Sequence, residues 1–124
     1  MIINSDKAPQ PIGPYSQAIL VQNTLYVSGQ IALNPLSGNL ETNDIRSETK
    51  QVLNNIENIL TAANLTLMNV VKCSIFLKNM DDFGAVNEVY GEHFKELPPA
   101  RETIEVSRLP KDVNVEISCI AVQL

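Results

Sequence analysis

Arg101 and Glu116 are the residues whose placement in the sequence most calls for a chemical explanation. Pro98-Pro99 stops any preceding helix and forces an extended path, so Arg101 is the first side chain of a β-branched, strand-forming run. The chain has only three arginines. A guanidinium delivered so rigidly suits a specific anionic partner, here a small carboxylate gripped by the planar fork. A salt bridge to Glu105, two residues further along the same face, is the other reading. Glu116 stands between Val115 and Ile117, where a carboxylate is exposed, paired or functional. Partial burial would raise its pKa and let it handle protons near neutral pH. Only Leu109 to Asp112 joins the two strands, so Arg101 and Glu116 are expected close together, as a structural pair or as a site.

The remaining candidates are weaker. Tyr15, in Ile12-Gly13-Pro14-Tyr15-Ser16-Gln17, offers a phenol held by a proline and a glycine, or simply fills core. Ser28 precedes Gly29-Gln30 without the G-x-S-x-G turn, and the single histidine, His93, falls on the apolar stripe of a helix. A Ser-His-acid triad therefore lacks support, and His93 reads as packing. No G-x-G-x-x-G, no P-loop and no His/Cys ligand cluster is present, so neither cofactor nor metal is expected. Cys73 and Cys119 form no C-x-x-C pair and lie in strand-like runs, as reduced core thiols do.

These residues need elements to hold them. Ile2-Ile3 is a short apolar start, and Pro9, Pro11, Gly13 and Pro14 hold the stretch to Tyr15 as an extended loop. Ala18 to Val21 and Leu25 to Ile31 read as a hairpin, with Leu25, Val27, Gly29 and Ile31 on one face and Tyr26, Ser28 and Gln30 on the other. A first helix begins after an N-cap at Asn43 or Asp44. It carries Ile45, Val52, Ile56, Ile59, Leu60 and Ala63 at helical spacing, with Arg46, Glu48, Lys50, Glu57 and Asn58 on the wet side. Asn64 suits a left-handed cap. A strand follows over Val70 to Lys78. Asp81-Asp82 then opens a second helix with the stripe Phe83, Val86, Val89, Tyr90, His93, Phe94 and Leu97, ended by Pro98. Strands over Arg101 to Arg108 and Val113 to Val122 complete the order β, β, β, helix, β, helix, β, β.

That order predicts an α+β sandwich: one mixed β-sheet with two helices packed on one face. The other face would show Ser28, Phe76, Thr103, Glu105, Glu116 and Ser118. A surface partly apolar and partly acidic is expected to be covered by self-association, with clefts between copies. At 124 residues the chain reads as one domain, 1–124. Its net charge of -5 and pI near 4.7 disfavour nucleic acid as a partner. No apolar run approaches a membrane span and the N-terminus has no leader pattern, so a cytoplasmic location is expected.

Taken together, Ile12 to Gln17, Val27-Ser28-Gly29-Gln30-Ile31, Val70 to Cys73, Asp82 to Asn87, Pro99-Ala100-Arg101 and Arg108 to Ile117 closely resemble the RidA, or YjgF, family of reactive-intermediate deaminases. The resemblance implies a chorismate-mutase-like fold, a homotrimeric barrel and sites in the inter-subunit clefts. It also implies hydrolysis of 2-aminoacrylate-type enamines and their imines to 2-keto acids and ammonia, without a cofactor. By position, Arg101 resembles the substrate-carboxylate arginine and Glu116 the water-orienting acid. Tyr15, Ser28, Gly29 and Asn87 match cleft-lining positions. Relatives often have Ser-Cys where this chain has Glu102-Thr103, so Thr103 puts a hydroxyl where a thiol is usual. Ser118 likewise replaces a frequent second glutamate. A non-enzymatic carboxylate-binding regulator or chaperone, or a ribonuclease or translation inhibitor, is the alternative that the resemblance leaves open.

Overall fold

Apolar residues at period two and period 3.6 resolve, in a computed structural model describing residues 1–124, into six strands and two helices. In chain order they are β1 (Ile2–Ile3), β2 (Ala18–Val21), β3 (Thr24–Gln30), α1 (Ile45–Ala62), β4 (Val70–Leu77), α2 (Phe83–His93), β5 (Ala100–Glu105) and β6 (Val115–Val122). The strands form one sheet in the order β1-β2-β3-β6-β4-β5. Only β4 and β5 run parallel. The element order matches the expectation from sequence, and so do the mixed sheet and its helix-covered face. No helix is long and apolar enough to cross a membrane.

Local chemistry explains the ends of α1. The Asp44 carboxylate accepts from Ser47 N at 2.9 Å, and this bond holds its pKa below the usual carboxylate range. At the other end Asn64 takes φ 60°. Asn64 N then donates to Thr61 O and Leu65 N to Leu60 O, which closes a left-handed Schellman cap.

One core joins the layers. Leu25, Val27, Cys73, Ile75, Leu77, Val115, Ile117, Cys119 and Ala121 of the sheet meet Val52, Leu53, Ile56, Ile59 and Leu60 of α1 and Val86, Val89 and Tyr90 of α2. Each large buried aliphatic here contributes about 1.5 to 3 kcal/mol. Cys73 and Cys119 face each other across β4 and β6 as free thiols, both pushed up in pKa by burial.

Several expectations are corrected. Thr103 and Glu105 are not on the open face. Parallel pairing sets Arg101 beside Cys73, Thr103 beside Ile75 and Glu105 beside Leu77, so all three look toward the helix side. Edge strand β5 has no apolar alternation to reveal this, and its one large aliphatic, Ile104, lies on the open face. In β3 the period of two breaks, because a bulge between Val27 and Gln30 sets Ser28 and Gly29 against the single Ser118. Gln30 is consequently buried and Gly29 exposed. Helix α2 ends at His93, short of Pro98, with Phe83 and Leu97 exposed. Strand β5 stops at Glu105, short of Arg108. Glu48, assigned to the wet side by its charge, is 0% exposed.

Candidate functional site

Glu116 lies on the open face of β6, half-buried, beside Phe76 of β4 and the bulge of β3. The bulge matters here. A Cβ added to Gly29 would sit 2.8 Å from the Glu116 carboxyl carbon, so any other residue there would have to push this carboxyl out of its position. Burial, with no charge beside it, raises the Glu116 pKa above the ordinary value.

Above this acid opens a cavity of about 360 Å³ whose wall includes Ile12, Tyr15, Ser28, Gly29, Gln30 and Pro110. The wall is held by backbone hydrogen bonds. Buried Gln17 accepts from Ser5 N at 2.7 Å and donates to Ser5 O at 3.1 Å and Pro9 O at 2.9 Å, which fixes the proline-rich loop carrying Tyr15. Ser28 Oγ donates to Ser16 O at 2.6 Å, and Ser28 N donates to Gln17 O. The Tyr15 hydroxyl accepts from Ile12 N at 3.4 Å and remains half exposed. Tyr15 is thus cavity wall and not core.

Arg101 belongs to a second patch, on the other face of the sheet. Its guanidinium donates to Asn87 Oδ1 at 2.7 Å and lies 4.8 Å from the Tyr90 ring centroid and 5.6 Å from that of Phe83. Stacking on aromatic faces holds the planar group while leaving donors free. The expected alternative, a salt bridge to Glu105, is absent; Glu105 instead accepts from Met80 N. Thr103 is two residues along the same face. Its Oγ1 is buried without any hydrogen-bond partner in the chain, whereas the Tyr90 hydroxyl lies against the Cys73 thiol. An unpaired buried hydroxyl is costly, and this one stands on the Arg101 patch.

Arg101 and Glu116 are therefore not neighbours within one chain. Strand β4 runs between β5 and β6, and Arg101 aligns through Cys73 with Cys119, three residues from Glu116. Strand spacing and rise put their Cα atoms about 14 Å apart, with side chains on opposite faces. The short connection Leu109 to Asp112 misled because it crosses over a strand. The structure collects Tyr15, Ser28, Gly29 and Glu116 in one patch, and Asn87, Arg101 and Thr103 in the other. Sequence reasoning missed Gln17, because a glutamine in a loop carries no sign of the distant Ser5 and Pro9 backbone groups it bonds. It also missed Phe83 and Tyr90 as an aromatic seat for Arg101, having read both as core stripe.

The fold and the two patches define a class: an α+β domain with one helix-covered sheet face, a half-buried acid in an open cleft and an aromatic-seated arginine. The chain matches the Endoribonuclease L-PSP family over residues 5–123 and belongs to that family, which includes YjgF, RidA and RutC proteins. It is 52% identical over 120 residues to a RutC family protein of Pyrococcus horikoshii, covering 97% of this chain and 95% of that one. It is 49% identical over 122 residues to 2-iminobutanoate/2-iminopropanoate deaminase of Capra hircus, covering 98% and 89%. The crystal structure of E. coli TdcF with bound serine superposes with a TM-score of 0.96 at 35% identity, covering 100% of this chain and 99% of that chain.

Proposed function

We propose that this protein is a hydrolase that converts 2-imino acids, and the enamines in equilibrium with them, to 2-keto acids and ammonia. The observation that carries the reading is the pairing of unlike patches: a half-buried Glu116 with its pKa raised by burial, and Arg101 seated on aromatic rings beside the unpaired Thr103 hydroxyl. Because one chain holds them on opposite faces, the site is read as a cleft between copies, with Arg101 of one copy meeting Glu116 of another. A homotrimer is the assembly that fits this reading. The names of deaminase relatives and of a serine-bound structural neighbour agree with a small amino- or imino-acid ligand.

The chemistry asks little of the protein. An imine carbon is already electrophilic, so a correctly held water can attack it. Arg101 takes the substrate carboxylate with charge-assisted bonds, each worth about 1.5 to 3 kcal/mol. Thr103, Asn87, Tyr15, Ser28 and Gly29 line the cleft. As the water oxygen bonds to the carbon of the protonated imine, the C=N π electrons move to nitrogen and Glu116 accepts one proton from the water, giving a neutral carbinolamine. The same proton passes from Glu116 to nitrogen, the C–N bond breaks with its electron pair leaving on ammonia, and the hydroxyl proton returns to the Glu116 carboxylate as the keto acid forms. A raised pKa suits a group that must both take and return a proton near neutrality.

The test is direct. A pyridoxal-phosphate dehydratase generates 2-aminoacrylate in situ, and decay of the imine is followed by absorbance. Acceleration over buffer that is lost in Glu116→Gln and Arg101→Ala supports the reading, and decay no faster than in buffer refutes it. The ribonuclease reading keeps the family's name on its side, but a chain of net charge -5 offers no clustered cations for phosphates.

A further inference from the structure

Glu48 is a buried carboxylate with no cation beside it, lying on α1 across the sheet from the cleft. Its Oε2 accepts from Asn114 N at 2.7 Å and Val115 N at 3.1 Å, and its Oε1 accepts from Asn114 Nδ2 at 2.8 Å. Those are the two residues immediately before Glu116. Lys78 N adds a bond to Asn114 O at 3.0 Å. The connection leading in is itself constrained, since Lys111 and Asp112 take φ 54° and 59° in succession. Two non-glycine residues in the left-handed region persist only where the surroundings hold them. The Asp112 carboxylate meets Lys78 Nζ at 3.2 Å and Arg108 Nε at 3.7 Å in exposed pairs, Asp112 N donates to Leu109 O at 3.0 Å, and Pro110 of the same turn lines the cavity.

A buried charge is an expensive way merely to close a core, and an apolar side chain would serve that end. What a carboxylate does here is fix register. Val115 points into the core and Glu116 into the cleft, so a one-residue slip of β6 would exchange them. On the other side the Glu116 carboxyl lies over Gly29, in space that a Cβ would take. We propose that Glu48 is a positioning residue for Glu116: from behind the sheet it sets the register and height at which the Glu116 carboxyl enters the cleft. This rests on the reading of Glu116 as the group that handles the attacking water.

Glu48→Gln keeps the shape, and its oxygen can still accept from Asn114 N and Val115 N. The Asn114 side-chain amide can turn over to present its oxygen to the new amide, so the clamp survives without its charge. Glu48→Met keeps the bulk and removes both acceptors. In the imine assay Glu48→Met is expected to lower kcat about 10- to 100-fold with KM nearly unchanged, and Glu48→Gln to retain most of the activity. Carbon-13 NMR of labelled glutamate carboxyls gives a readout that needs no turnover: the raised Glu116 titration should move toward the ordinary range in Glu48→Met and stay in place in Glu48→Gln. The proposal is overturned if Glu48→Met keeps the wild-type Glu116 titration, or if its activity loss merely follows the unfolded fraction measured by circular dichroism. Glu116→Gln is run alongside. If it hydrolyses imine as fast as wild type, the deaminase reading fails, and the NMR titration alone still decides whether Glu48 governs Glu116.

Discussion

The two patches are built by opposite means. Glu116 stands in the middle of the sheet and is placed by what holds the backbone around it: a bulge, a glycine without a Cβ, a proline-rich loop pinned through Gln17, and a strand start clamped by Glu48. Arg101 stands on edge strand β5 and is held through its side chain alone, by Asn87 and two rings. The difference is instructive. A group that moves protons has to be held to fractions of an ångström, whereas a guanidinium grips a carboxylate by charge and a flat fork and can be seated by a few side-chain contacts. On the proposed function neither patch is a site by itself, because one would supply an acid without an anchor and the other an anchor without an acid.

Substitutions that break one patch should therefore fail differently from those that break the other. The largest effect is expected at Gly29. A Cβ there collides with the end of a flexible side chain, so Gly29→Ala should fold normally while pushing Glu116 aside, with kcat falling about 100-fold and KM little changed. A circular-dichroism melt beside steady-state kinetics checks both halves of that statement. Arg101→Lys should do the reverse. A point charge cannot reproduce the fork or the stacking, so KM for the imino acid should rise about 10-fold or more, with kcat affected less.

The smallest of these effects separates the patches by pH. The Glu116 pKa is raised in the folded protein, so between its ordinary value and the raised one the folded state holds the proton more tightly than the unfolded chain. Stability contributed by this group is thus lost as pH rises through that window. Glu116→Gln should be slightly more stable than wild type at pH 7, by under about 1 kcal/mol because the group still meets solvent, and equal to it at pH 3. Chemical denaturation at the two pH values measures this. The acid limb of kcat should follow the same raised value, since activity needs the ionised form. No comparable signature is expected from Arg101→Ala.

Much of this architecture was legible in the sequence. Val52, Ile56, Ile59 and Leu60 at helical spacing, and Val115, Ile117, Cys119 and Ala121 at period two, each declared a buried face that the core confirms. Glu116 was readable because a lone carboxylate in such a run has to be accounted for. What could not be read depends on tertiary context. Edge strand β5 carries no apolar parity, so nothing local says that Thr103 and Arg101 look toward the helices. The break of phase at Ser28-Gly29 is a relation between two strands. Glu48 counts as a surface residue by type, and only the distant amides of Asn114 and Val115 make its burial tolerable.

The central claim is that the two patches meet between copies of the chain, and subunit mixing tests it most directly. Arg101→Ala and Glu116→Gln proteins, each inactive alone, are unfolded together in equal amounts, refolded, and assayed for imine hydrolysis. With random assembly into a closed ring, about one cleft in four receives an intact Arg101 from one copy and an intact Glu116 from the next, so about a quarter of wild-type activity should return. If assembly is verified and no activity returns while refolded wild type is fully active, Arg101 and Glu116 do not share a cleft and the account is wrong.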